Sequence, residues 1–222
     1  MNLKKTAAEK AVEAIKDGMC IGLGTGSTAY WAIQKIGERV REGLKIEAVA
    51  TSVASEELAV QLGIPIVPFE NITRLDITID GADEVSPQLH LIKGGGGALL
   101  REKIVAANTD YFIVVADESK AVDTLGSFAL PVEVVPFASE WTKRRLEASC
   151  PDVQWRLKDG VKYITDNGNY IADCRYGEIH DPAELEAMLN SIPGVVDNGL
   201  FVGMADKVII AKSDGELDVR VK

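Results

Sequence analysis

The apolar positions of this chain change period repeatedly, and the changes predict helices alternating with short strands. Ala7, Ala11, Val12 and Ile15 recur on one side of a helix over residues 7–16, stopped at Gly18. Residues 19–23 read as a buried strand that runs into Gly24-Thr25-Gly26-Ser27-Thr28. A helix over 29–41 follows, with Trp31, Ile33, Ile36 and Val40 as its apolar positions. Then come a strand at 46–50, a helix at 55–62 and a short strand at 64–67. Leu75, Ile77 and Ile79 alternate with polar residues in a strand ending at Asp80. A glycine-rich loop precedes a helix at 98–107 and a strand at 111–116. This order predicts an α/β fold: a Rossmann-like parallel sheet with helices on both faces and right-handed crossovers.

The rhythm changes after Leu130-Pro131. A strand at 132–135, a helix at 139–149 and a strand at 153–157 precede a hairpin of 162–164 with 170–172 around Asp166-Asn167-Gly168-Asn169. Asp181-Pro182 starts a capped helix over 181–190, and the last strand of this series is either 195–196 or 200–202. The order approaches βαββαβ, a ferredoxin-like α+β arrangement. Residues 208–211 read as a buried strand returning to the first sheet. The expected division is a Rossmann-like unit of 1–126 with 200–222, interrupted by a small ferredoxin-like unit of 127–199.

Composition narrows the function classes. Asp and Glu outnumber Lys and Arg by 34 to 24, a net charge of −10, and no basic block with interleaved aromatics is present. Such a chain is a poor partner for nucleic acid. It also lacks an apolar run long enough for a membrane span or the core of a signal peptide, so a cytoplasmic location is expected. One basic, glycine-rich pocket can still attract a small phosphorylated ligand against the global field. Cys20, Cys150 and Cys174 are odd in number and widely spaced, which suits buried reduced thiols. His90 and His180 form no metal-ligand pattern, and no metal is expected. His180 suits a helix boundary.

Three polar or glycine-rich segments end strands, where open α/β sheets bind ligands. The first, Gly22 to Thr28, combines three glycines and three hydroxyls with a helix N-terminus, which suits a single phosphate. Gly24 to Ala29 also fits GxGxxA, but the ribose-binding acid expected about 20 residues later is absent. No Gly-Lys-Ser/Thr completes a P-loop. In the second segment, Asp80-Gly81-Ala82-Asp83-Glu84, the two aspartates suit hydroxyl binding or proton movement, although a plain turn also explains Asp80-Gly81. The third runs from Lys93 through Gly94, Gly95, Gly96 and Gly97 into a helix. Its N–H groups, beside the Lys93 ammonium, suit a developing oxyanion. Glu102 falls in the first turns of that helix, facing either the loop or solvent. Lys120 also follows a strand, as a surface lysine or a phosphate contact.

Together these segments resemble ribose-5-phosphate isomerase type A. Asp117 to Lys120, Leu130 to Val134, Thr165 to Asn169, Ile192 to Val196 and Gly199 to Phe201 extend the likeness over nearly the whole chain. The resemblance implies interconversion of D-ribose 5-phosphate and D-ribulose 5-phosphate, a step of the non-oxidative pentose phosphate pathway, without cofactor. It implies Glu102 as general base, with Lys93 and the glycine N–H groups stabilising an enediolate. Asp80 and Asp83 would assist ring opening and hold hydroxyls, together with Gly81 and Ala82. Thr25, Gly26, Ser27, Thr28 and Lys120 would hold the sugar phosphate. A homodimer or a dimer of dimers is also implied. The rival classes are a sugar-phosphate sensor domain and an acyl-CoA transferase-like enzyme of related fold.

Overall fold

A computed structural model describes residues 2–222. In chain order its elements are α1 (Leu3–Val12), β1 (Cys20–Leu23), α2 (Ala29–Arg41), β2 (Glu47–Ala50), α3 (Val53–Gln61), β3 (Ile77–Gly81), β4 (Glu84–Val85) and β5 (Leu91–Ile92). There follow α4 (Leu99–Ala107), β6 (Phe112–Asp117), β7 (Leu130–Val134), α5 (Ser139–Glu147), β8 (Val153–Trp155), β9 (Leu157–Lys158) and β10 (Val161–Lys162). The chain closes with β11 (Tyr170–Cys174), α6 (Pro182–Asn190), β12 (Val195–Asn198), β13 (Leu200–Phe201), β14 (Lys207–Ala211) and β15 (Leu217–Val221).

The large sheet has the order β15-β14-β6-β3-β1-β2. Its inner pairs are all parallel, and β15 closes one edge antiparallel to β14. Successive residues of a strand point to opposite faces, and this sorts the core into two layers. Ile113, Val115, Ile77 and Ile79 join Ala7, Ala11, Ile33 and Ile36 on the α1/α2 face. Phe112, Val114 and Ala116 join Val85, Leu91 and Phe201 on the other. Thr78 lies between Ile77 and Ile79 and so points with Asp80 toward α4, where its hydroxyl is bonded to that of Thr109. Helices thus cover both faces, as the alternating pattern predicts.

The second, four-stranded sheet has the order β12-β7-β11-β8 with every pair antiparallel, the ferredoxin-like arrangement. Leu130, Val132 and Val134 pack under α5 and α6 with Leu146, Val153 and Leu189. The intervening Glu133 points the other way. Asp181 caps α6 by accepting from the Glu184 N–H at 2.9 Å, with Pro182 opening the helix.

Several local expectations need correction. The first helix starts earlier, because the Asn2 side chain caps it by accepting from the Lys5 N–H. Residues 64–67 contribute only the single bridge Ala48–Ile66, since the Pro65 and Pro68 backbones cannot donate to a ladder. Residues 162–164 and 170–172 meet at one bridge, Ile164–Tyr170. Lys162 instead pairs with Leu157 in the β9–β10 hairpin, while β11 is claimed on both sides by β7 and β8. Both choices for the last strand are realised: β12 edges the small sheet, and β13 joins β5 and β4 in a three-stranded sheet that no period announced. Cys150 and Cys174 are buried, but Cys20 is partly exposed.

Candidate active site

The carboxyl ends of β1, β3 and β6 converge on a cavity of about 250 Å³. Thr25 to Thr28 form one wall and Gly81 to Asp83 the second. Lys93 to Gly96 with Glu102 form the third, and Lys120 stands at the rim. Of the residues to which the resemblance gives a role by number, all line this cavity except Asp80; Gly97, at the end of the glycine loop, does not. The Asp80 carboxylate lies behind the wall, 1% exposed, because β3 turns it toward α4. Its Oδ1 accepts from the Thr25 and Gly81 N–H groups at 2.9 and 2.7 Å, and its Oδ2 faces Lys93 Nζ at 2.9 Å. Asp80 therefore ties two loops together and partners the lysine.

Lys93 follows β5, and its ammonium is also buried. It donates to the Gly81 carbonyl at 2.5 Å and to Glu102 Oε1 at 3.1 Å, with the Phe201 ring face 5.4 Å away. Burial works against its charge, but the Asp80 and Glu102 carboxylates overcome that cost and hold its pKa above the usual lysine range. Glu102 is in the opposite position. Its desolvation outweighs the pull of Lys93, the Asp80 charge adds to it, and its pKa is pushed up to about 8. Among the described residues Glu102 Oε2 has no hydrogen-bond partner. A buried, unpaired carboxylate oxygen in a cavity wall is a strong marker of a reacting group.

The first wall offers bare donors. The Thr25 hydroxyl is occupied by Thr51 and Ser52, at 2.7 and 2.8 Å. No acceptor among the described residues takes the N–H groups of Gly26, Ser27 or Thr28, at the N-terminal end of α2. Lys4 completes this side, donating to Ser27 Oγ at 2.9 Å. Sequence reasoning missed it. The available signal was a basic residue at the head of a helix that packs along α2. Asp83 accepts from the Gly95 N–H at 2.7 Å and so pins the glycine loop to the second wall. Lys4 and Lys120 put positive charge on one side of the cavity, across from Asp83 and Glu102, within a chain of net charge −10.

Residues 47–215 match the family model described as ribose 5-phosphate isomerase A (phosphoriboisomerase A). The chain belongs to the ribose-5-phosphate isomerase A family. A ribose-5-phosphate isomerase A of Bacillus mycoides is 51% identical over 216 residues, covering 97% of this chain and 98% of that protein. Among solved structures, ribose 5-phosphate isomerase A of Methanocaldococcus jannaschii superposes with a TM-score of 0.94 at 44% identity, covering 100% of this chain and 99% of that one. A D-ribose-5-phosphate isomerase solved with phospho-erythronic acid reaches 0.96 at 40% identity, with both chains fully covered. Family membership therefore extends across both sheets of this isomerase-family chain and all three walls of its cavity.

Proposed function

We propose that this chain interconverts D-ribose 5-phosphate and D-ribulose 5-phosphate, with Glu102 as the base. The observation that carries the reading is the unpartnered Glu102 Oε2, beside a buried ammonium and held by a group whose pKa is about 8. From the open-chain aldose, Glu102 removes the proton on C2. The electron pair forms the C1–C2 double bond, and charge gathers on O1. Protonated Glu102 then returns its proton to C1 while the O2–H proton passes to O1, leaving a ketone at C2. The free N–H of the glycine loop would donate to an enediolate oxygen, while the Lys93 ammonium, its three donors held by Asp80, Gly81 and Glu102, would contribute its positive charge.

Asp83 Oδ1 is available to a sugar hydroxyl, since Gly95 occupies Oδ2. Asp80 keeps Lys93 charged from behind the wall. The phosphate is assigned to the Gly26–Thr28 N–H groups, the α2 N-terminus, Lys4 and Lys120. To test the reaction, the chelator-treated protein is mixed with ribose 5-phosphate and ribulose 5-phosphate formation is followed. Conversion is expected, and Glu102→Gln should slow it by about 10²–10⁴-fold while retaining sugar-phosphate binding. Turnover by Glu102→Gln near the wild-type rate would reject this base.

A homodimer belongs to the same proposal. Phe137, Trp141, Leu157, Val161 and Ile164 all project into solvent from the small-sheet half, Phe137 at 87% exposure. Light scattering should give a mass above the 23.9 kDa of one chain, and Trp141→Glu should lower it. A monomer at micromolar concentration would remove this part. The three free thiols suit a reducing, cytoplasmic location.

A further inference from the structure

Four consecutive glycines make a poor rigid donor array, because glycine leaves the backbone freer than any other residue. The structure shows what holds them. Arg156, between β8 and β9, donates through Nη1 to the Gly94 carbonyl at 2.7 Å and the Gly95 carbonyl at 3.1 Å. The rest of its guanidinium is gripped by Asp173 of β11, with Nε to Oδ2 at 3.0 Å and Nη2 to Oδ1 at 2.5 Å. Both side chains are largely buried.

A trans peptide points its N–H opposite to the preceding C=O. Fixing the Gly94 carbonyl on Arg156 therefore directs the Gly95 N–H the other way, onto Asp83 Oδ2. Fixing the Gly95 carbonyl directs the Gly96 N–H away from Arg156 too. Gly95 and Gly96 line the cavity and Arg156 does not. The Gly96 N–H has no acceptor among the described residues. One guanidinium thus sets two peptide planes and leaves one donor open.

We propose that Arg156, oriented by Asp173, is a positioning residue that fixes the Gly96 N–H as a donor to the enediolate oxygen. It acts through the loop and touches no substrate. The idea rests on the proposed isomerase mechanism and adds to it a residue from the small sheet, 54 positions from Glu102 in the chain. Lysine cannot replace the fork, because a single ammonium lacks the planar donors that grip Asp173 and both carbonyls together.

The test compares Arg156→Lys, Arg156→Ala and Asp173→Asn with wild type and Glu102→Gln. Arg156→Lys should lower kcat by about 10²-fold, near the loss of one oxyanion donor. KM for ribose 5-phosphate should stay within about threefold and the thermal midpoint should hold. The midpoint of the pH–rate profile should not move, since Glu102 is untouched. Affinity for phospho-erythronic acid, whose planar carboxylate presents anionic oxygens to the same donor, should fall in parallel with kcat. Arg156→Ala combined with Asp173→Asn should be no worse than Arg156→Ala alone.

If Arg156→Ala does not fold, Arg156→Lys and Asp173→Asn decide the matter. A folded Arg156→Lys with kcat within twofold of wild type overturns the proposal. So does a joint fall of kcat, thermal midpoint and ribose 5-phosphate binding. An active Glu102→Gln would instead reject the underlying mechanism, whereas an inactive one beside an unaffected Arg156→Lys rejects only the role of Arg156.

Discussion

Asp80, Lys93 and Glu102 place two buried carboxylates around one buried ammonium, and the excess of negative charge falls on Glu102. In the unfolded chain this carboxyl titrates near 4.5, whereas in the folded chain it does so near 8. Between those values the native state holds a proton that the unfolded state has released. The contribution of Glu102 to stability therefore falls as pH rises from 4.5 to 8. Glutamine has no such titration, so the thermal midpoint of Glu102→Gln relative to wild type should climb between pH 5 and pH 9. Over the same range the wild-type kcat/KM should rise about tenfold per pH unit and level off above about 8, as the base becomes deprotonated. Thermal scans and initial rates check both trends, and a flat rate profile from pH 6 to 9 would remove Glu102 as the titrating base. At this scale the sequence revealed which residue types cluster at strand ends, but not their orientation. Alternation along β3 contained that information: Asp80 shares a face with Thr78, opposite Ile77 and Ile79, and hence lies behind the wall.

Among the elements, β1 and β3 approach closely because their loops nest. A Cβ on Gly24 would lie 2.6 Å from the Asp80 Cα, a backbone atom that cannot swing aside. Gly26 also has a positive φ of 99°, but a Cβ there meets open space. The two glycines should therefore respond differently. Gly24→Ala is expected to destabilise the protein by about 1–3 kcal/mol through overpacking and to cut activity by displacing Asp80. Gly26→Ala should lose about 1–2 kcal/mol from backbone strain alone. Urea unfolding distinguishes them, and a smaller loss of stability for Gly24→Ala than for Gly26→Ala would contradict the nesting. The strand–glycine–helix run was legible because a strand end, a turn and a helix start each have local signals. The three-stranded sheet of β4, β5 and β13 was not. Its strands have two residues each, too short to show a period, and β13 arrives more than a hundred positions after β5. Lys4 escaped for the same reason: only packing of α1 along α2 brings it to Ser27.

For the molecule as a whole, the question is how the small sheet stays registered on the large one, since Arg156, Arg101 and Lys103 all reach across between them. Arg101 donates to the Asp166 carbonyl and to Asn167, in a loop that Glu133 holds through Thr165, Asn167 and Asn169. Lys103 meets Glu186 and Asp197. Both flank Glu102 on α4, so any movement of the small sheet pulls on the helix that carries the base. The junction itself is fixed by Glu84, which is buried and accepts from the Gly126 and Phe128 N–H groups at 2.6 Å each. The chain enters the small sheet immediately afterwards, at β7. Gly126 has no room for a side chain, since a Cβ would press on the Gly177 carbonyl carbon at 2.8 Å. The backbone there cannot shift to find new partners. Glu84→Ala therefore strands one buried donor and one half-buried donor, at up to about 1–3 kcal/mol each. A total loss of up to roughly 2–6 kcal/mol in urea unfolding is expected, on the same principle. Glu84 does not line the cavity, so the residual folded enzyme should keep its pH midpoint. Its kcat should fall with the loosened brace. Hydrogen exchange locates the effect: amides at 126, 128 and along β7 should exchange faster while β6 stays protected. Uniform acceleration through β6 would mean that Glu84 supports the whole core and that the two sheets unfold as one unit.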